Sequence, residues 1–124
     1  MVERWSHKPV VLGSIPRRST LLKGVTMREN KYQAGLKKKI KAMFPGCLVT
    51  KLDPNDIQGI PDLLILYGEH WAILEVKKSE ADARHPRPNQ RYYVDLLNRM
   101  SFSSFIYPEN EEEVLDELFR SFKA

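Results

Sequence analysis

The spacing of apolar residues changes several times along this chain, and each change predicts an element. From Arg28 to Phe44, Tyr32, Leu36, Ile40 and Met43/Phe44 recur every three to four positions, the spacing of one buried helical face, with Lys37, Lys38, Lys39 and Lys41 mostly on other faces. Pro45-Gly46 ends that helix. Cys47–Leu52 reads as a short strand, and Asp53-Pro54-Asn55-Asp56 as a turn cluster leading to Gly59-Ile60-Pro61. Two apolar runs follow, Asp62–Tyr67 and Trp71–Lys77, joined by Gly68-Glu69-His70, a link short enough for a hairpin. Lys78–Pro88 is polar and is expected to be a loop. Asn89–Met100 predicts a second helix burying Tyr93, Leu96, Leu97 and Met100, and Ser104–Tyr107 a fourth strand. Asn110 stands where it can cap a last helix, whose first turn carries Glu111, Glu112 and Glu113 at the positive end of the dipole. Val114, Leu115, Leu118, Phe119 and Phe122 form that helix's apolar stripe. The predicted class is α/β, in the order α-β-β-β-α-β-α.

Residues 1–26 show no sustained period and contain Pro9, Gly13, Pro16 and Gly24, so they read as a separate, extended arm ahead of one domain, 27–124. Charge divides at the same place. The chain of 124 residues has net charge +4. The arm holds five Lys/Arg and one Glu, which leaves fifteen cations and fifteen acids in the domain. Its basic residues, Arg17, Arg18 and Lys23 among them, suit phosphate contact and suit a solvated tail equally well.

With 42% hydrophobic and 29% charged residues the composition is that of an ordinary globular domain. No apolar run reaches the ~20 residues of a membrane span, and no secretory h-region opens the chain, so a bacterial or phage-infected host cytoplasm is the expected location. Cys47 is the single cysteine, which excludes an internal disulfide. His7, His70 and His85 lack metal-ligand spacing, and no phosphate-cradling glycine loop is present.

The exceptional chemistry lies in the two apolar strands. Asp62 opens the first, while Glu75 and Lys77 close the second, sharing one strand face with Val76 opposite. Folding the hairpin brings Asp62 to Glu75 and Lys77. Carboxylates in apolar strands cost several kcal/mol unless something compensates them. A hard cation held by the pair would do so, and so, more blandly, would a salt bridge at an exposed strand end.

Gly59-Ile60-Pro61-Asp62, Glu75-Val76-Lys77-Lys78, and Gln90 with Tyr93 three residues on resemble the PD-(D/E)XK nuclease superfamily, in particular the small VRR-NUC-type nucleases of phages and prophages. The likeness runs from about Met27 to the C-terminus. It implies a restriction-endonuclease-like core with a mixed four-stranded sheet. It also implies Mg²⁺, or Mn²⁺ in its place, on Asp62, Glu75 and the Val76 carbonyl, with Glu29 completing the shell. Lys77 would orient or activate water, Gln90 would lie near the metal or scissile phosphate, and Lys78 would neutralise a neighbouring phosphate. The activity expected is metal-dependent endonucleolytic cleavage of DNA, with branched DNA such as Holliday junctions as substrate and a homodimer as the acting form. Glu29 reads equally as a dipole partner of its helix. The competing functional readings are a catalytically silent DNA-binding module and a phage structural protein on the same fold.

Overall fold

The computed structural model describes the backbone of residues 16–123 and the side chains of residues 29–123. Four helices and a four-stranded mixed sheet occupy them. Helix α1 spans Pro16–Met43 and is followed by β1 (Leu48–Lys51), β2 (Leu63–Tyr67) and β3 (His70–Val76). Then come a short α2 (Glu80–Ala83), α3 (Pro88–Met100), β4 (Phe102–Ile106) and α4 (Glu111–Lys123). The sheet order is β1-β2-β3-β4, with the first two pairings antiparallel and β3–β4 parallel.

The hairpin forms as its sequence predicts. Tyr67 pairs with His70, so Gly68 and Glu69 alone make the turn, and Gly68 takes φ +63° at the first loop position, which matches the twist of the flanking strands. Apolar side chains of β2 and β3 then alternate between the two faces. One face carries Leu63, Ile65, Ala72, Leu74 and Val76, with Ile106 beside them, and meets Leu36, Ile40 and Phe44 of α1 and Val114, Leu115, Leu118 and Phe122 of α4. Phe44 is the hub of an aromatic group, its ring centroid 5.1 Å from Tyr67 and 5.0 Å from Phe122. The opposite face is covered by α3 over β3 and β4, while Leu48 and its cross-strand partner Leu66 remain exposed.

Several boundaries differ from the sequence expectation. Residues 16–26 are helical, not extended: α1 starts at Pro16, whose preset φ and missing N–H suit a first helical position, and Gly24, like Gly35 further on, costs a long helix only about 1 kcal/mol. The rest of the arm, residues 1–15, lies outside the described residues. The expected loop at 78–88 contains α2, capped by the Ser79 hydroxyl, which accepts from the Asp82 N–H at 3.2 Å. The fourth strand begins two residues earlier than predicted, at Phe102. Helix α3 buries only Val94 fully and leaves Met100 62% exposed, because it lies on one side of a narrow sheet. Asn110 occupies the expected position before α4, but its carboxamide turns back. Oδ1 accepts from the Tyr107 N–H and Nδ2 donates to the Phe105 carbonyl, which closes the β4–α4 turn. Phe119 is 41% exposed, at the rim of the stripe. Among the described residues no helix is long and apolar enough to cross a membrane.

The aromatic group yields a test. Phe44→Ala, at a fully buried hub, should cost about 3–5 kcal/mol in urea denaturation, whereas Phe119→Ala should cost roughly 1 kcal/mol. Equal losses would mean that the core is not organised around Phe44.

Candidate active site

The β2–β3 register, continued past Leu63–Leu74, sets Asp62 across from Glu75 and Pro61 across from Val76. Asp62 is held from both sides. Its backbone carbonyl accepts from the Leu52 N–H at 2.8 Å, and its Oδ2 accepts from the Val76 N–H at 3.0 Å. Pro61 is fully buried and has no N–H to offer the Val76 carbonyl, so the proline frees a main-chain oxygen beside the two acids. Lys77 lies just beyond β3, but its N–H donates to the Ile106 carbonyl at 2.9 Å, which continues the ladder and holds its side chain on the face of Glu75.

Gln90 ties these residues to α3. Its Oε1 accepts from the Arg87 N–H and from Lys77 Nζ, both at 3.1 Å. Because the Arg87 N–H can only donate, the amide oxygen must face it, and the amide nitrogen is left to donate to Glu75 Oε2 at 3.0 Å. The Lys77 ammonium is 3.6 Å from the same Glu75 oxygen, and both side chains are largely buried. Among the described residues no hydrogen bond reaches Oδ1 of Asp62 or Oε1 of Glu75. Asp62, Glu75 and Gln90 line a cleft of about 440 Å³, walled by Gly59, Ile60 and Asn89.

Burial decides the electrostatics. Glu75 is only 4% exposed, and desolvation, followed by the neighbouring Asp62 charge, pushes its pKa up to about 8 despite Lys77. Burial also raises Asp62, against the Val76 N–H and the charges of Lys51 and Lys77. Glu29 is raised by burial, then by Asp62 and Asp82, so it lies within electrostatic reach of the pair. It does not join the pair in a closed cage: among the described residues no three His, Cys, Asp or Glu side chains gather closely enough to hold an ion by themselves.

No family model, curated protein or solved structure matches the chain. The assignment of the site therefore rests on its geometry. The fold brings together Asp62, Glu75, the Val76 carbonyl, Lys77 and Gln90, with Glu29 at longer range. Lys78 is exposed and lines a separate shallow cleft with Lys31, Tyr32 and Ser79. The backbone at Arg17, Arg18 and Lys23 belongs to α1, and their side chains lie outside the described residues.

Two contacts that hold the site went unread in the sequence. One is the Arg87 N–H, which fixes the Gln90 amide; the Pro88 that starts α3 was its only sequence signal. The other is Gly59. It has φ +93°, and a Cβ there would collide with the Cβ of Asn89 and lie 2.9 Å from its carbonyl carbon. A glycine shortly before Pro61-Asp62 marks a turn in the sequence, but the close approach to α3 appears only in three dimensions. Gly46, at φ +94° with open space around it, is the natural control. Gly46→Ala should cost about 1 kcal/mol for its backbone alone and Gly59→Ala about 2–3 kcal/mol in chemical denaturation. Equal costs would show that the 53–61 loop does not depend on that contact.

A pH titration tests the carboxylate pair. Below about pH 4.5 Glu75 is protonated in both folded and unfolded chains, so it contributes nothing to the pH dependence. Between pH 4.5 and about 8 the folded state keeps a proton that the unfolded state has released, so stability falls as pH rises. In EDTA the Tm should therefore decline across this window. Glu75→Gln should flatten the decline and melt higher than the parent at pH 8.5. A parent whose Tm rises from pH 5 to 8 would contradict the buried, repelling pair.

Proposed function

We propose that this chain is a metal-dependent endonuclease of the PD-(D/E)XK type that hydrolyses phosphodiester bonds in DNA. The observation that carries the reading is that Asp62 and Glu75 face each other in a cleft, each with an oxygen that no hydrogen bond reaches among the described residues, and with the Lys77 ammonium held beside them. A salt bridge at an exposed strand end, the blander alternative, fits poorly with a Glu75 that is 4% exposed.

The donor set fits Mg²⁺, with Mn²⁺ able to substitute. All donors are oxygens, and a magnesium ion takes one or two carboxylates and completes its shell with water and substrate phosphate, so no cage of three acids is required. Asp62 Oδ1, Glu75 Oε1 and the Val76 carbonyl would hold it. Such an ion supplies charge neutralisation at the phosphoryl oxygen and a more acidic water.

The remaining chemistry belongs to the chain. Asp62, fixed by β1 and β3, sets the position of the phosphate relative to the sheet. Lys77 Nζ, restrained between Glu75 and Gln90, orients the attacking water beside the acids and offsets negative charge building on the phosphoryl oxygens. Gln90 keeps that ammonium from collapsing fully onto Glu75. The element order and mixed sheet are in keeping with the restriction-endonuclease-like core that the resemblance implies; branched DNA as substrate and a homodimer as the acting form rest on that resemblance alone.

Cleavage of a panel of linear duplex, single-stranded, flap and four-way-junction DNA with Mg²⁺ or Mn²⁺ tests the reading. Asp62→Asn, Glu75→Ala and Lys77→Ala should each lower the rate by ~10²-fold or more, the loss expected for a positioned catalytic group. Gln90→Ala should cost about tenfold, because it positions Lys77 and touches no reacting atom. Glu29→Ala should leave the maximal rate intact and raise the Mg²⁺ needed for half of it. Undiminished cleavage by Glu75→Ala would assign the activity elsewhere.

A further inference from the structure

We propose that a second cleft, between α2, α3 and β4, receives one unstacked nucleobase of the DNA strand held at the carboxylate pair, an inference that rests on the nuclease reading above. The cleft measures about 460 Å³, and its walls include Arg91, Asp95, Asn98, Ser103 and Phe105. It adjoins the acids. Phe105 is the cross-strand neighbour of Glu75, and parallel strands lie about 4.8 Å apart, so the floor of this cleft is within one nucleotide's reach of a phosphate at Glu75. Arg91 follows Gln90 on α3, and the helical step turns it from the acids to this side.

The chemistry of the cleft matches a planar heterocycle. The Arg91 guanidinium lies over the Phe105 ring at 5.4 Å, forming a flat cationic surface of the kind on which unstacked bases rest. Beside it are groups of both polarities. Asn98 accepts from the Ser103 N–H with its Oδ1 at 3.1 Å, which leaves its amide nitrogen as a donor, and Asp95 presents a carboxylate acceptor three residues away on the same helix. The deciding group is Ser103. It is 4% exposed, and its hydroxyl has no hydrogen-bond partner among the described residues, which a buried hydroxyl rarely tolerates. A base edge, which offers donors and acceptors together, would satisfy it. A phosphate would not suit the cleft: Asp95 repels an anion, and Arg84 is already paired with Glu80 at 3.1 Å.

The test is an abasic scan of binding. The full chain in EDTA, where no cleavage occurs, is titrated into a labelled single-stranded oligonucleotide, and then into versions lacking one base at each position in turn. The parent should lose about tenfold in affinity at one position, the loss expected for a single stacked base. Arg91→Ala and Ser103→Ala should bind the intact strand and that abasic strand equally. Ser103→Ala should also keep or raise the parent's Tm, since it removes an unpartnered hydroxyl, whereas a residue needed only for folding would lower it. Equal affinity at every abasic position, failure of the intact strand to bind, or a full abasic loss retained by Arg91→Ala would each overturn the subsite. Cleavage is not read here, so the nuclease reading stands or falls separately on Glu75→Ala.

Discussion

Two buried carboxylates facing each other across the β2–β3 ladder set the terms for the rest of the molecule. Neither can turn away. Asp62 is fixed by the Leu52 and Val76 amides, and Glu75 lies in the middle of the sheet's width with β4 on its far side. Their repulsion and desolvation are therefore permanent costs of the fold, relieved only by a proton, a cation or a neighbouring donor. Lys77 and Gln90 supply part of that relief and the cleft leaves room for more. Stability must come from elsewhere, and it comes from the opposite face of the same strands. Leu63, Leu74 and Val76 alternate with Asp62, Glu75 and Lys77 in sequence and are wholly buried against α1 and α4. The period of two residues along a strand thus separates the face that folds from the face that carries the charged groups.

That separation explains what could be read in advance. The hairpin, the apolar faces of α1 and α4 and the meeting of Asp62 with Glu75 all follow from local spacing and from a turn too short to permit another register. Lys77 is legible for the same reason, being two residues from Glu75. Gln90 is a different case. Nothing in the period of α3 marks it, and it entered through resemblance to a family pattern. The structure supplies a physical account, an amide oriented by the Arg87 N–H so that its nitrogen meets Glu75.

Misreadings fall where local pattern competes with context. The start of α1 was hidden because Pro and Gly signal both loops and helix ends, and Pro16 turned out to open a helix. Asn110 has the right residue type for a cap, but two main-chain groups of the preceding turn claim its side chain first. Tyr93, Leu96, Leu97 and Met100 look like a buried stripe, yet a four-stranded sheet is too narrow to cover the whole helix, and Val94 takes the central place. Gly59 depends on a neighbour thirty positions away in the chain, which no local reading supplies.

The shallow burial of α3 has a consequence for the site. A broad buried face would hold Gln90 through packing alone, but here only Val94 is buried, with Tyr93, Leu96 and Leu97 half-buried, and none of them lies in the first turn, which other contacts help to locate. Those contacts are polar and steric. The Arg87 N–H and Lys77 Nζ meet at one amide oxygen, Gln90 Nε2 reaches Glu75, and the backbone of Gly59 presses against Asn89. Each is short-ranged and directional, so a displacement of α3 by an ångström would release Lys77 from Gln90 while leaving the core against α1 and α4 untouched. The acids are therefore set rigidly by the sheet, and the lysine is set by a helix start that depends on loop 53–61. Of the two, the lysine's position is the more sensitive to change in that loop, because it depends on the Gly59–Asn89 approach as well as on the sheet.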